Sequence, residues 1–502
     1  MSGEDRRGPG DPERGPRADE AAAGAPRPPD GLAAAAGPST EARFLSSTIA
    51  AYGSQLGRVV IRLVTDLTLA RLVLAEDHGL FDYALAAVWI ASIVRDLGLP
   101  YQLVRDERGP FGTVLVWQAV AGSVLAGALA AGSPLFAALD PELPPVVAAL
   151  APWLLLHGLA VAPQVWFERR LEVGRLVLPE ILRGLTLAVV SIGLALAGFG
   201  VWSFVAGELV SQALLTAMLW WRAWGRMPLA FDRKLLPDLL ARSRYLFAIA
   251  FFATTLPYLE RYVVGPFVST VMVAQYGKAR LWGLRVQTVL VPAIQRVLYP
   301  ALVEYRDDPG RSSAAYRIGT LTILAFEAVA AYFLFFNAET VLVGILGPQW
   351  EPAVPLLRVL CFLPFVDPFN RLGGELLKVR NEDRAWLLIV ALNFASLVGF
   401  GTWLASRHGA IGLAVADFLL LGNALMAWRI WRILGPDFRR LAGDLLLVYA
   451  APLVPFLLVA ALLPEEGWLR FGASLVAAAA AVGLLALRFQ RPFRRFFAGG
   501  VA

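Results

Sequence analysis

Between Gly53 and Leu72 the chain reads GSQLGRVVIRLVTDLTLARL, apolar enough to cross a bilayer yet carrying Arg58, Arg62 and Asp66 at i, i+4 and i+8, with Gln55 beside them. On a helix these positions form one stripe. Arg and Asp at a bilayer centre cost roughly 2.5–3.5 kcal/mol each on insertion scales, so the stripe must face protein or a water-filled cavity. Two chemistries suit it. One is a buried Arg62–Asp66 pair in which the acid fixes the guanidinium. The other is a cationic wall that meets an anion through planar, permanently charged forks. A second apolar stretch carries Lys278, Arg280, Arg285, Gln287, Gln295 and Arg296. The surplus of bases over acids in the two stretches suits a cavity that holds phosphate or pyrophosphate at membrane depth. Arg58, Arg62, Lys278 and Arg285 are the candidate binding set. Asp66, Glu208 and Asp417 are candidate ion-coupling carboxylates, because an intramembrane acid can take a proton or Na⁺.

Other charged groups read more simply. Arg71, Arg296 and Arg371 sit where helix ends would let them snorkel. Glu260–Arg261 reads as an interface pair, and Arg358, Asp367, Asn370, Arg371 and Glu375 polarise one further stretch. Asp307-Asp308-Pro309-Gly310 reads as a turn capping the next helix, not as a metal-binding acid pair. His78, His157 and His408 are scattered, and there is no P-loop or HExxH run. No catalytic residue, metal or cofactor is therefore assigned, and an enzyme is not expected. The single cysteine, Cys361, reads as a core residue.

The elements that must position these groups follow from composition. The chain has 502 residues, 58% hydrophobic, and a mean hydropathy of +0.61. Repeated apolar runs of about 20 residues define an all-α polytopic membrane protein. About fourteen spans are expected: 44–70, 79–99, 112–138, 144–166, 176–198, 201–221, 239–266, 269–300, 315–337, 352–377, 385–405, 410–431, 445–463 and 469–487. Residues 1–43, rich in Pro, Gly and mixed charge, read as a disordered cytoplasmic tail and not as a signal peptide. Basic residues then fall almost entirely on one side, in the loops around Arg105, Arg169–Arg175, Arg222–Arg244, Arg306, Lys378 and Arg429–Arg440. Arg71, Arg407 and Arg470 fall on the other side. Both termini are expected in the cytoplasm. The net charge of +6 is accounted for by these loops, and no nucleic-acid partner is implied.

An internal repeat organises the spans. GLFDYA at Gly79–Ala84 sits against AQYGKA at Ala274–Ala279. GVWSFVAGE at Gly200–Glu208 sits against GAIGLAVAD at Gly409–Asp417. The offset covers an even number of spans, so both halves share an orientation. Such a parallel repeat, with its axis along the membrane normal, belongs to transporters with a site between two lobes. The expected division is a lobe over 44–230, a second over 231–440, and two extra helices with a basic tail over 441–502.

From Phe44 to about Gly435 the chain resembles the Wzx-like polysaccharide transporters of the MOP superfamily, flippases of lipid-linked oligosaccharide. The residues that carry the likeness are LARLVLAEDHGLFDYA, FERRLEVGRLVLPEIL, GFGVWSFVAGELV, YGKARLWGLRVQTVLVPAIQRVLYPALVEYRDDPGR and LGPQWEPAVPLLRVL. The resemblance implies two six-helix lobes in a MATE-like fold that rock about a central cavity. It implies an isoprenoid diphosphate carrying a sugar repeat, moved from the cytoplasmic to the outer leaflet of a bacterial inner membrane for O-antigen, capsule or exopolysaccharide assembly, alongside a polymerase and other assembly proteins. It also places an acid near the end of the seventh span, where Glu260 stands. The competing classes are a MATE-like multidrug/cation antiporter, which would want an acid-dominated cavity, and a membrane glycosyltransferase or ligase.

Overall fold

The computed structural model describes residues 57–105, 109–170 and 172–497, and every regular element among them is helical. The expected tail over 1–43 and the first part of the first span lie outside the described residues. In order the α-helices are α1 (57–72), α2 (Ala75–Asp96), α3 (Leu99–Arg105), α4 (Phe111–Ala131), α5 (Leu143–Leu150), α6 (Trp153–Arg169), α7 (Gly174–Leu196), α8 (Val201–Ala223) and α9 (Leu235–Val264). There follow α10 (Thr270–Gly283), α11 (Arg285–Glu304), α12 (Pro309–Phe336), α13 (Val354–Leu360), α14 (Asp367–Val379), α15 (Asp383–Ser396), α16 (Thr402–Ala416), α17 (Leu421–Leu434), α18 (Asp437–Leu462) and α19 (Trp468–Phe497).

Among the described residues, eleven helical stretches are long and apolar enough to cross a membrane. The difference from the fourteen expected has local causes. One of the eleven, Asp383–Leu434, runs for 52 residues and contains two expected spans. They meet without a loop at Gly409, whose φ of 58° and ψ of −140° interrupt α16. α2 carries His78, Asp82 and Arg95 among its apolar residues, which lowers its hydropathy. Several expected spans are also broken helices. The eighth divides at Leu284 into α10 and α11, and the tenth into α13 and α14 with a short 3₁₀ turn between them. Discontinuous helices are tolerated in a membrane only where their freed backbone is buried or lines a cavity.

The repeat has a conformational signature. Gly200, at the start of α8, has φ 53° and ψ −129°. Gly409, its partner in the repeat, adopts nearly the same values. Only glycine takes this region without strain. The other aligned pair lies at a close crossing of two helices. α2 and α10 cross so closely that a Cβ on Gly79 would fall 2.2 Å from the Thr270 carbonyl oxygen, and one on Gly277 would meet the Asp82 carboxylate. Small residues at a crossing are what membrane helices need, since lipid supplies no hydrophobic drive for their association.

Outside this contact, α2 packs with α4, α5, α6 and α8, while α9 packs with α15 and α16, and α14 with α17. α18 and α19 pack on each other and on α12. The outward faces stay apolar, as at Val189, Trp221 and Leu462. The RDDPG turn behaves as read: the Asp308 carboxylate accepts from the Arg311 amide at 3.0 Å and caps α12. Cys361 is fully buried.

Candidate substrate site

The end of α1 is held by the loop at Gln349–Trp350. Gln349 Nε2 donates to the carbonyls of Ala70 (2.6 Å) and Val73 (3.1 Å), and its Oε1 accepts from the Ala75 amide at 3.1 Å. Trp350 Nε1 adds a bond to the Ala70 carbonyl at 3.0 Å. One side chain thus satisfies orphan groups at the end of α1 and the start of α2, which buried helix ends require. Gln275 of α10 donates to the Gln349 carbonyl at 2.7 Å and ties the same segment to α10. This is a physical reason for the LGPQW stretch to be distinctive in the sequence.

The charged stripe of α1 is fixed by this clamp and splits into different roles. Arg58 forms an ion pair with Glu180 of α7. Asp66 accepts from Arg285, the first residue of α11, at 3.2 Å, with both side chains about four-fifths buried (19% and 23% exposed). The Arg62–Asp66 pair expected from spacing is therefore not formed. The helical neighbour loses to a guanidinium across the α1–α11 contact, where the broken eighth span turns Arg285 inward. Arg62 is exposed and holds no carboxylate among the described residues. It lies within electrostatic reach of Lys278 and Tyr258. Lys278 is buried in α10, with Nζ 5.2 Å from the centroid of the Trp350 ring. Its charged neighbours are Asp66, Asp82, Arg285 and Arg62. The stripe of α1 and the α10–α11 junction thus come together. The cations Arg58, Arg62, Arg261, Lys278 and Arg285 outnumber the carboxylates Asp66, Asp82 and Glu180 around them.

The candidate coupling acids are not gathered in one place. Asp66 is engaged by Arg285. Glu208 pairs with Arg183 of α7 at 3.0 Å. Asp417 is buried at the end of α16, with Oδ2 3.0 Å from the Tyr276 hydroxyl. That hydroxyl also lies 3.0 Å from Glu260 Oε2. Glu260 is fully buried and takes a bond from Arg280 at 2.7 Å. Glu260 and Arg261 do not form an interface pair. Adjacent residues of a helix point about 100° apart, and Arg261 faces Asp82 at 3.9 Å and the Pro257 carbonyl.

A cavity of about 440 Å³ opens beside this network, walled by α9, α10, α11, α14, α15 and α17. Arg280, Leu284, Glu375, Asn393, Asp417 and Asn423 are among its lining residues. The sequence reading missed Glu180, Tyr276, Asn393 and Asn423. Glu180 lies inside the quoted FERRLEVGRLVLPEIL stretch. The two asparagines stand in the eleventh and twelfth spans, and a polar amide in an apolar run was the available signal.

A helical membrane bundle with a broken-helix centre is the class these features define, and solved structures share its fold. "Lipid II flippase MurJ, inward closed conformation" superimposes with a TM-score of 0.73 over 90% of this chain and 100% of that one, at 12% identity. An inward-facing multidrug resistance MATE family transporter of the MOP superfamily gives 0.61 over 75% of this chain and 95% of that one, at 14% identity. The fold is that of these carriers. The family model for "Polysaccharide biosynthesis protein" matches residues 68–355, more than half of the chain, and the chain belongs to that family. It is also 25% identical over 427 residues to "Succinoglycan biosynthesis transport protein ExoT" of Rhizobium meliloti (strain 1021), covering 74% of this chain and 83% of that protein.

Proposed function

We propose that the chain is a flippase that moves isoprenoid-diphosphate-linked oligosaccharide from the cytoplasmic to the outer leaflet of a bacterial inner membrane. The product feeds cell-surface polysaccharide assembly, in company with a polymerase. The observation that carries this reading is the cation surplus where α1 meets the α10–α11 junction. Arg62, free of any carboxylate among the described residues, stands near Lys278. Arg58, Arg62, Lys278 and Arg285 receive the diphosphate, with Arg62 as the open fork and the paired arginines as its fixed surroundings. The isoprenoid tail stays in the bilayer, so the protein shelters only phosphate and sugar. About fourteen spans, lobes over 44–230 and 231–440, two further helices over 441–502 and cytoplasmic termini belong to the same reading. The family membership and the transport role in the name of the Rhizobium relative support it.

Coupling falls most naturally to Asp417 among the three acids. The Tyr276 hydroxyl has one proton and two carboxylate neighbours at equal distance. It donates to one of them, and a proton on the other carboxyl completes the second bond.

A multidrug or cation antiporter on the same fold is the competing reading, and the local charge opposes it. The test is expression in a bacterial host whose own polysaccharide flippase is deleted. Restored surface polysaccharide, with no gain in resistance to a cationic dye such as ethidium, is expected. Dye efflux without polysaccharide would reverse the assignment.

A further inference from the structure

The cavity beside α10 has a lining that the diphosphate does not need. Asn423 Oδ1 accepts from Asn370 Nδ2 at 2.5 Å and from Asn393 Nδ2 at 3.2 Å. Two asparagines therefore fix the orientation of a third. Its Nδ2 donates to no protein acceptor among the described residues, which leaves a held amide donor at the cavity wall. Across from it, Glu375 Oε1 accepts from Lys378 at 3.0 Å and from Gln295 Nε2 at 3.2 Å. These two bonds fix the carboxylate and leave Oε2 as an acceptor. The Gln295 carbonyl oxygen is a further acceptor. Trp386, packed against Gly374, adds an aromatic wall.

The charges around this cavity are largely spent on each other. Arg280 is bonded to Glu260, Lys378 to Glu375, and the other two charged lining residues, Arg371 and Asp417, are of opposite sign. The site therefore offers fixed hydrogen-bond donors and acceptors rather than a net field. A phosphate would meet the Glu375 carboxylate, and a cationic drug would meet Arg280. A neutral polyhydroxyl ring fits: each sugar hydroxyl both donates and accepts, and its apolar face can lie on an aromatic ring. The volume of about 440 Å³ falls within the roughly 300–1,000 Å³ of small-molecule sites. Position agrees as well. The α10–α11 junction contributes Arg285 to the cationic cluster and Arg280 with Leu284 to the cavity wall. One molecule can then reach both, its diphosphate at the arginines and its sugar in the cavity.

We infer that this cavity is a neutral-sugar subsite, with Asn423 and Glu375 as the hydrogen-bonding residues that read the saccharide. The inference rests on the flippase reading, because it assigns the second half of the same substrate. The test uses the full chain in lipid nanodiscs and two probes, farnesyl diphosphate and farnesyl-diphosphoryl-glucose, with Kd measured by calorimetry. The wild type should bind the glucosylated probe about tenfold more tightly than the bare diphosphate, the gain of one or two well-formed hydrogen bonds. Asn423→Leu and, separately, Glu375→Gln should abolish or sharply reduce that gain. The Kd for farnesyl diphosphate should stay unchanged in both, which also reports that each variant is folded. If both variants keep the full sugar-dependent gain, the cavity is not the sugar subsite. If the wild type binds the two probes equally, the subsite is overturned while diphosphate recognition stands. If the wild type binds neither probe, the flippase reading falls and takes this one with it.

Discussion

Replacing Arg62 by Ala separates recognition from architecture. Arg58 and Arg285 are each tied to a carboxylate, so deleting either leaves Glu180 or Asp66 without its cation. A loss of transport there would mix binding with stability. Arg62 is exposed and bonded to no carboxylate among the described residues, so its removal strands no acid. Its contact with a diphosphate is a charge-assisted hydrogen bond, worth about 1.5–3 kcal/mol. At about 1.4 kcal/mol per tenfold, Arg62→Ala should weaken binding of farnesyl diphosphate by about 10- to 150-fold. Arg62→Lys should recover part of this, since it restores the charge but not the bidentate fork. The assay is calorimetric Kd on the nanodisc-embedded chain, with the melting temperature measured in parallel and surface polysaccharide scored in the flippase-deleted host. A wild-type Kd for Arg62→Ala at an unchanged melting temperature would refute the placement of the diphosphate at this cluster.

Three further outcomes are expected. Arg285→Gln should destabilise the protein by roughly 1–3 kcal/mol, less than for a fully buried pair because both partners are about a fifth exposed; adding Asp66→Asn should restore much of the melting temperature, and a double variant no better than the single would show that the pair is not coupled. Gly409→Ala should cost about 1–3 kcal/mol because its φ of 58° and ψ of −140° are strained for a residue with a Cβ; Gly193→Ala, where a Cβ meets nothing within 4 Å, should be near neutral, and equal melting temperatures would refute the strain argument. Cysteines introduced near Pro141 and Glu466 should be labelled from outside the cell and those near Arg170 and Arg440 should be protected, with external labelling at Arg440 contradicting the orientation.

Much of the fold was legible because apolar run length and loop charge are local properties. The spans of α4, α7, α8 and α12 needed nothing else. The breaks in the eighth and tenth spans had local signals that went unread: Gly283 directly precedes the break at Leu284, and Pro364 and Pro368 stand in the first turns of the 3₁₀ segment and of α14. The alignment of Gly200 with Gly409 was readable because one backbone geometry, shared by the two, demands one residue type. The stripe of Arg58, Arg62 and Asp66 was visible from periodicity, but its pairing was not. Spacing along one helix nominated Arg62 for Asp66, and the tertiary contact delivers Arg285 instead, which shifts the open cation from Arg58 to Arg62. The asparagine cluster draws on three separate spans, and no single stretch of sequence places Asn370, Asn393 and Asn423 together.

The most direct measurement reconstitutes the purified chain in sealed liposomes with a fluorescently tagged isoprenyl-diphosphate oligosaccharide, and follows the fraction open to a membrane-impermeant glycosidase. The wild type should carry the lipid across, Arg62→Ala should slow this by one to two orders of magnitude, and empty liposomes should show none. Rates equal in protein-containing and empty vesicles, with folded protein verified in both orientations, would contradict this.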